Sequence, residues 1–131
     1  MADAVSTFLM FQDGNAEAAM RGYVALFGGE IVQLEHWGAG GPGTEGQVKL
    51  ATFTLAGHRL RCSDSAPVHA FGFTPSVSLF VDCADEAELE RAFAALADGG
   101  QVLMPPADYG FSHRFGWCND RYGVSWQLNL P

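Results

Sequence analysis

The sequence predicts an α+β protein in which the order βαβββ runs twice. Three observations carry that prediction. Two stretches with apolar residues at helical spacing, one after Asn15 and one after Asp85, each follow a single short apolar strand and precede three more. Seventy residues separate two similar segments: Arg21-Gly-Tyr-Val-Ala-Leu-Phe-Gly-Gly29 lies over Arg91-Ala-Phe-Ala-Ala-Leu-Ala-Asp-Gly99, with Arg, an aromatic, Ala, Leu and the terminal Gly coinciding. Such self-similarity points to a duplicated module. The chain also closes on a strict alternation. Val124, Trp126, Leu128 and Leu130 point one way, while Ser125, Gln127 and Asn129 point the other. A last strand with one apolar face and one face of neutral polar groups predicts a curved sheet, packed on helices on one side and lining a cavity on the other.

The elements follow in order. Residues 7–11 form a short apolar strand, and Asp13-Gly14-Asn15 a turn in which Asn15 caps the first helix, with Glu17 placed for the helix dipole. Ala16, Ala19, Met20, Tyr23 and Phe27 form that helix's apolar face, and Gly28-Gly29 end it. Gly22 inside it costs about 1 kcal/mol relative to Ala, so close packing on the sheet is expected there. Residues 30–37, 48–55 and 58–63 read as strands. The glycine-rich stretch 36–46 reads as a mobile hairpin loop or pocket lid, because it lacks the G-K-[S/T] ending and following helix of a phosphate cradle. Residues 64–75 link the halves. Strand 76–83 comes next, then a helix with Asp85 and Glu88 in capping-box spacing and Leu89, Ala92, Phe93 and Leu96 on its apolar face. A short strand 101–104 is expected to break at Pro105-Pro106, and strands 111–118 and 124–129 flank a tight turn at Asn119, Asp120 and Gly123. The 131 residues therefore form one domain made of module 1 (6–64) and module 2 (76–131).

Bulk composition narrows the function classes. Hydrophobic residues make up 48% of the chain, enough for a core. The net charge of −8 argues against nucleic acid and anionic membrane surfaces, which select a basic face. Cys62, Cys83 and Cys118 are odd in number and lack CxxC spacing, so they read as reduced, buried thiols. No apolar run approaches the roughly 20 residues of a membrane span, and no signal-like N-terminus is present. The chain reads as soluble and cytoplasmic.

Phe8-Leu-Met-Phe, Asp13-Gly-Asn-Ala-Glu-Ala, Tyr23-Val-Ala-Leu-Phe-Gly-Gly and Asp120-Arg-Tyr-Gly-Val-Ser-Trp-Gln127 together resemble the PhnB-like group of the vicinal oxygen chelate superfamily, which includes glyoxalase I, bleomycin-resistance proteins and extradiol dioxygenases. The resemblance covers nearly the whole chain. It implies paired βαβββ modules, each a half-open sheet cupping a pocket, and a homodimer. Proteins of this group often carry the label 3-demethylubiquinone 3-methyltransferase. Here no glycine-rich strand-to-helix turn with an acidic ribose partner is present for S-adenosylmethionine. The superfamily's metal enzymes take four ligands, His, Glu or sometimes Gln, from the first and last strand of each module. In this chain the first strand supplies no His or Glu, the fourth puts Arg61 nearest the ligand position, the fifth offers only serines and the eighth offers Gln127. No metal and no cofactor are expected.

The residues expected to contact a small molecule are Gln127, Arg61, Trp117, Phe8, Met10 and Ser76. Arg61 and Gln127 fit a neutral or anionic ligand, and Trp117 suits an apolar wall. The competing reading pairs Arg61 with Asp64 and leaves Gln127 satisfying backbone groups. Asp82, Asp85 and Asp120 read as turn and capping residues. Three functions stay open: a metal-free binding protein for an unknown small molecule; a metal-dependent lyase or dioxygenase using His36, His58 or His113 with Gln127; and a structural module with a filled core.

Overall fold

The computed structural model describes all residues, Met1 to Pro131, in two compact units, Met1–Ala70 and Phe71–Pro131. The first contains β1 (Thr7–Phe11), α1 (Ala16–Phe27), β2 (Glu30–His36), β3 (Val48–Leu55) and β4 (His58–Asp64). The second contains β5 (Ser78–Asp82), α2 (Glu86–Ala97), β6 (Gln101–Ala107), β7 (Arg114–Asn119) and β8 (Ser125–Leu130). Each unit is βαβββ. The sheet orders are β1-β4-β3-β2 and β5-β8-β7-β6, with first and last strands parallel and the other neighbours antiparallel. The two helices begin seventy residues apart and have equal length, as the sequence similarity requires.

In the first unit α1 packs on β3 and β4. Its buried residues, Ala16, Ala19, Met20 and Tyr23, meet Ala51, Phe53, Leu60 and Cys62, all fully buried on the strands. A buried carboxylate pins the arrangement. Asp64 accepts the backbone N–H of Ala16 at 3.0 Å and of Val48 at 2.8 Å. Asp64 thereby satisfies a donor at the helix start that the helix itself leaves open. This replaces the expected cap: the Asn15 side chain makes no capping bond. It also removes the pairing of Arg61 with Asp64, whose oxygens are both engaged by backbone. Gly22 is exposed, and a methyl group added there would meet nothing within 4 Å, so sheet packing is not the reason for it.

The second unit repeats the plan with different residues. Leu89, Ala92, Phe93 and Leu96 are the buried face of α2, which packs on β7 and β8. Asp85 caps the helix by accepting the Glu88 N–H at 2.8 Å, and the Glu88 carboxylate reaches back to the Ala84 N–H at 2.8 Å. Gly116 on β7 lies under the Phe93 ring; a methyl group there would approach it to 2.8 Å, closer than packing allows. Asp120, 5% exposed, accepts from the Tyr122 and Val124 N–H groups and from Trp126 Nε1 at 3.0 Å. It holds the β7–β8 turn to the core indole, more than a turn former alone would do.

Several boundaries move. β6 runs through Pro105 and Pro106 to Ala107 because it is an edge strand, where a missing N–H costs no ladder bond, and its register shifts between Met104 and Ala107. β7 starts at Arg114 rather than residue 111. β5 starts at Ser78, since Ser76 sits in the preceding turn with its hydroxyl 2.6 Å from that of Thr74. The 36–46 stretch is the hairpin loop between the antiparallel β2 and β3, as expected. It folds back on the Trp37 ring, with the Trp37 backbone N–H donating to Gln47 O, the Gly46 backbone N–H donating to Trp37 O, and Lys49 Nζ 5.2 Å over the ring.

Candidate functional site

Each sheet has one face against its helix and one turned away from it. Period-two alternation sorts the side chains. On β4, Leu60, Cys62 and Asp64 are buried toward α1, so Arg59, Arg61 and Ser63 lie on the open face. On β8, Trp126 and Leu128 are buried toward α2, so Ser125, Gln127 and Asn129 lie on the open face. Strand register then defines one central row per sheet. In the first unit it runs Phe8, Arg61, Thr52, Gln33; in the second, Phe80, Gln127, Trp117, Met104.

The expected contact residues divide between the units. Phe8, Met10 and Arg61 share the open face of the first sheet, Phe8 directly beside Arg61 and Met10 beside Ser63. Phe8 is 53% exposed, while Arg61 is half-buried and bonded to no acid or backbone group. Gln127 and Trp117 are register partners on the second sheet. Ser76 does not join them, because its turn lies before the strand. Ser78, two residues on, takes the inward position, and alternation along β5 adds Phe80 and Asp82 to the same face. The expectation that this strand offers only serines is corrected accordingly.

A hydrogen-bonded chain crosses the second face. Gln127 Nε2 donates to Ser78 Oγ at 3.1 Å, the Ser78 and Ser125 hydroxyls lie 3.2 Å apart, and Trp117 Nε1 donates to Ser125 Oγ at 2.8 Å. Gln127 thus bonds a side-chain hydroxyl rather than backbone, and its carbonyl oxygen keeps its lone pairs. Asn129 donates to Asp82 Oδ1 at 2.9 Å, so the single carboxylate near the row already has a partner. Beside this polar chain stands an aromatic group: Phe115 lies 6.3 Å from Phe80, 5.0 Å from Phe111 and 6.2 Å from Tyr109, ring centre to ring centre. Phe80 and Phe111 are exposed. Sequence reading missed Phe80; alternation back from Asp82 was the signal that could have found it.

The superfamily's metal positions can be tested on this register. Parallel pairing sets Phe8 against Arg61 and Phe80 against Gln127, one pair from the first and last strand of each unit. The pair in the first unit offers a divalent ion no lone pair and a repelling cation, and the pair in the second offers a single neutral oxygen. A metal site needs several converging lone-pair donors, so these residues do not fit the metal. Nor do three His, Cys, Asp or Glu side chains gather anywhere else in the chain to hold one. Of the four histidines, His36 Nε2 lies 2.6 Å from Glu17 on α1 and His58 Nε2 2.9 Å from Thr7 Oγ1, while the backbone N–H groups of His69 and His113 donate to Gln12 Oε1 and Leu130 O. The bond with His36, then that with Arg21, hold the Glu17 carboxyl below its usual range. His113 lines an open depression of about 430 Å³ with Asp108, Gly110, Ser112 and Pro131, which includes none of the expected contact residues. All three thiols are free and buried. Burial pushes Cys62 up to about 12 and Cys83 and Cys118 up to about 11, which leaves no thiolate nucleophile at neutral pH.

Comparison with known proteins agrees with this architecture. The model of the family described as 3-demethylubiquinone-9 3-methyltransferase matches residues 3–129. A PhnB protein from Bacillus cereus, named for that methyltransferase, is 50% identical, with a TM-score of 0.93 over 98% of this chain and 100% of its own. Protein YjdN of Escherichia coli is 29% identical over 80 residues, 61% of this chain and 54% of YjdN, so the match spans about half the length of that curated relative. The Listeria monocytogenes fosfomycin resistance protein FosX, solved with Mn(II) and a dihydroxypropylphosphonic acid, shares the fold at 14% identity and a TM-score of 0.64, over 100% of this chain and 94% of FosX. No helix here is long and apolar enough to cross a membrane. With its duplicated βαβββ units and a family match over residues 3–129, the chain belongs to the PhnB-like family, described as 3-demethylubiquinone-9 3-methyltransferase, and it shares its fold with FosX.

Proposed function

We propose that this protein binds a small organic molecule on the open sheet faces without a metal ion, and that it does so as a homodimer. The observation that carries the reading is the occupancy of the four strand positions where metal-dependent relatives place ligands: Phe8, Arg61, Phe80 and Gln127. Each pair sets hydrocarbon beside one polar group, a guanidinium in the first unit and an amide carbonyl in the second, which suits an organic ligand with a polar end and does not hold a cation. Trp117 and Phe80 form the apolar wall beside Gln127, and Ser78 with Ser125 orients the Gln127 amide. Preset polar groups of this kind fix ligand orientation within a mostly apolar surface. The exposed rings of Phe8, Phe80 and Phe111 favour burial against a second copy or a ligand. The methyltransferase in the family description is not part of the proposal, because the sequence has no glycine-rich strand-to-helix turn for S-adenosylmethionine.

Native mass spectrometry of the full chain, purified without chelator, tests the proposal. The expected spectrum is a dimer carrying an organic adduct that Gln127→Leu or Trp117→Ala diminishes. A chain that carries one divalent ion and no organic adduct contradicts it. The reading of the fold as a filled structural module is supported instead if neither adduct is seen and both substitutions destabilise as core residues do.

A further inference from the structure

We infer that the open face of the first sheet is an oxoanion site, formed by Arg59 and Arg61 with the Thr52 and Thr54 hydroxyls, so that the ligand is an organic anion whose apolar body lies on Phe8 and Met10. This rests on the binding role proposed above and names the chemistry of its ligand.

Charge pairing in the chain singles these arginines out. The sequence has 15 carboxylate residues and 7 Lys or Arg, so acids are in excess and every cation could have a partner. Arg21 pairs with Glu17, Arg114 with Glu90 and Arg121 with Asp98, and Lys49 lies over Trp37. Arg91 has no ion pair either, but it stands alone and exposed on α2, where water solvates it. Arg59, itself exposed, and the half-buried Arg61 pair with nothing either, and unlike Arg91 they stand two apart on one strand and on one face. Successive same-face residues are roughly 7 Å apart, so their like charges repel, and an anion between them would relieve that repulsion. The register supplies hydroxyls at the same place: Thr52 is opposite Arg61 and Thr54 opposite Arg59. Thr52 is 5% exposed, and its hydroxyl, which has no protein partner, keeps contact with solvent on the open face.

Acids do share this face. Glu30 is opposite Thr54 and Glu35 opposite Leu50, both on β2. β3 stands between them and the arginines, and two strand spacings amount to roughly 10 Å. They leave the guanidiniums unpaired and confine an anion to the β1–β4–β3 side. On that side Phe8 is beside Arg61 and Met10 beside Ser63, which places hydrocarbon next to the charged pair. Guanidinium forks bind carboxylate and phosphoryl oxygens in bidentate geometry, so the common chemistry is an oxoanion on an apolar group.

Calorimetric titration of the full chain with benzoate, phenyl phosphate and the neutral benzamide tests the inference. At least one of the two anions is expected to bind and benzamide not, and the preferred anion tells a carboxylate from a phosphoryl head. Arg61→Gln and Arg59→Gln should each weaken binding about tenfold or more, as loss of a charge-assisted bond does. Arg91→Gln, an exposed change of equal charge on α2, should leave it unchanged. Equal binding of benzamide and benzoate, insensitive to Arg61→Gln but abolished by Gln127→Leu, overturns the oxoanion site while leaving the binding role intact. Weakening by Arg91→Gln as large as by Arg61→Gln also overturns it, since net charge alone then explains the affinity. Absence of binding by all three overturns both.

Discussion

The two sheets share one scaffold and present different chemistry. Against the helices, equivalent positions keep equivalent duties: Tyr23 and Phe93 are both buried, as are Ala19 and Leu89. On the open faces the central rows diverge. Phe8, Arg61, Thr52 and Gln33 offer a cation and hydroxyls; Phe80, Gln127, Trp117 and Met104 offer an amide acceptor and an indole. Core packing restrains the helix side to apolar residues of fitting volume, whereas the open side is free to change polarity. Only the leading phenylalanine is common to both rows. A duplicated fold has thus become two dissimilar surfaces.

The largest effect expected separates scaffold from surface on one strand. Asp64→Ala strands two buried N–H groups and should cost about 3 kcal/mol or more in urea unfolding, while Arg61→Ala, three residues earlier on the open face, should stay within about 0.5 kcal/mol. Asp120→Ala should repeat the large loss in the second unit, where three donors depend on that carboxylate. Comparable costs for Asp64→Ala and Arg61→Ala would erase the distinction between the faces.

Next in size is a response to alkali that both helix faces share. The buried thiols ionise in the folded chain near 11 to 12, above their ordinary value of 9.0. The unfolded chain therefore loses these protons first. Stability should be fully present below pH 9 and fall as pH rises from 9 toward 11, by at most about 1.4 kcal/mol per thiol and pH unit. Cys62→Ala should flatten the slope of unfolding free energy against pH in that window.

Trp117→Phe sharpens the description of the second face. It removes the bond to Ser125 and should cost about 1 kcal/mol, with a shift of the ligand affinity that the same change of Trp37 does not produce. The smallest effect belongs to the surface pair of Glu17. Its carboxyl is lowered by His36 and Arg21, so the contribution exists above the ordinary value of 4.5 and disappears as pH falls through the lower folded value. Arg21→Ala should change stability by about 0.3–0.5 kcal/mol, less in salt.

Much of this was legible in the sequence, and the misses have common causes. The βαβββ order, the buried faces of both helices and the alternation in β8 follow from periodicity, which burial enforces. The Asp85 cap follows from local spacing. Asp64 as the pin of α1 could not be read, because its partners are 48 and 16 residues away. Pro105 and Pro106 looked like a strand end until the edge position of β6 was known. Alternation back from Asp82 could have put Phe80 on the open face, but the displacement of Ser76 by Ser78 depended on a strand start that shifts by two residues, and the pairing of Phe80 with Gln127 on parallel register, which no short-range signal encodes. Arg61 and Gln127 were legible as unusual side chains at their strand positions; the row of Ser78, Ser125 and Trp117 that orients Gln127 was not.

The account turns on whether the open faces hold a divalent ion. Elemental analysis after the full chain is incubated with Mn²⁺, Ni²⁺ or Zn²⁺ and desalted is the direct measurement. The expected result is well under one ion per chain, unchanged in Gln127→Ala; one tightly held equivalent that Gln127→Ala releases contradicts the account.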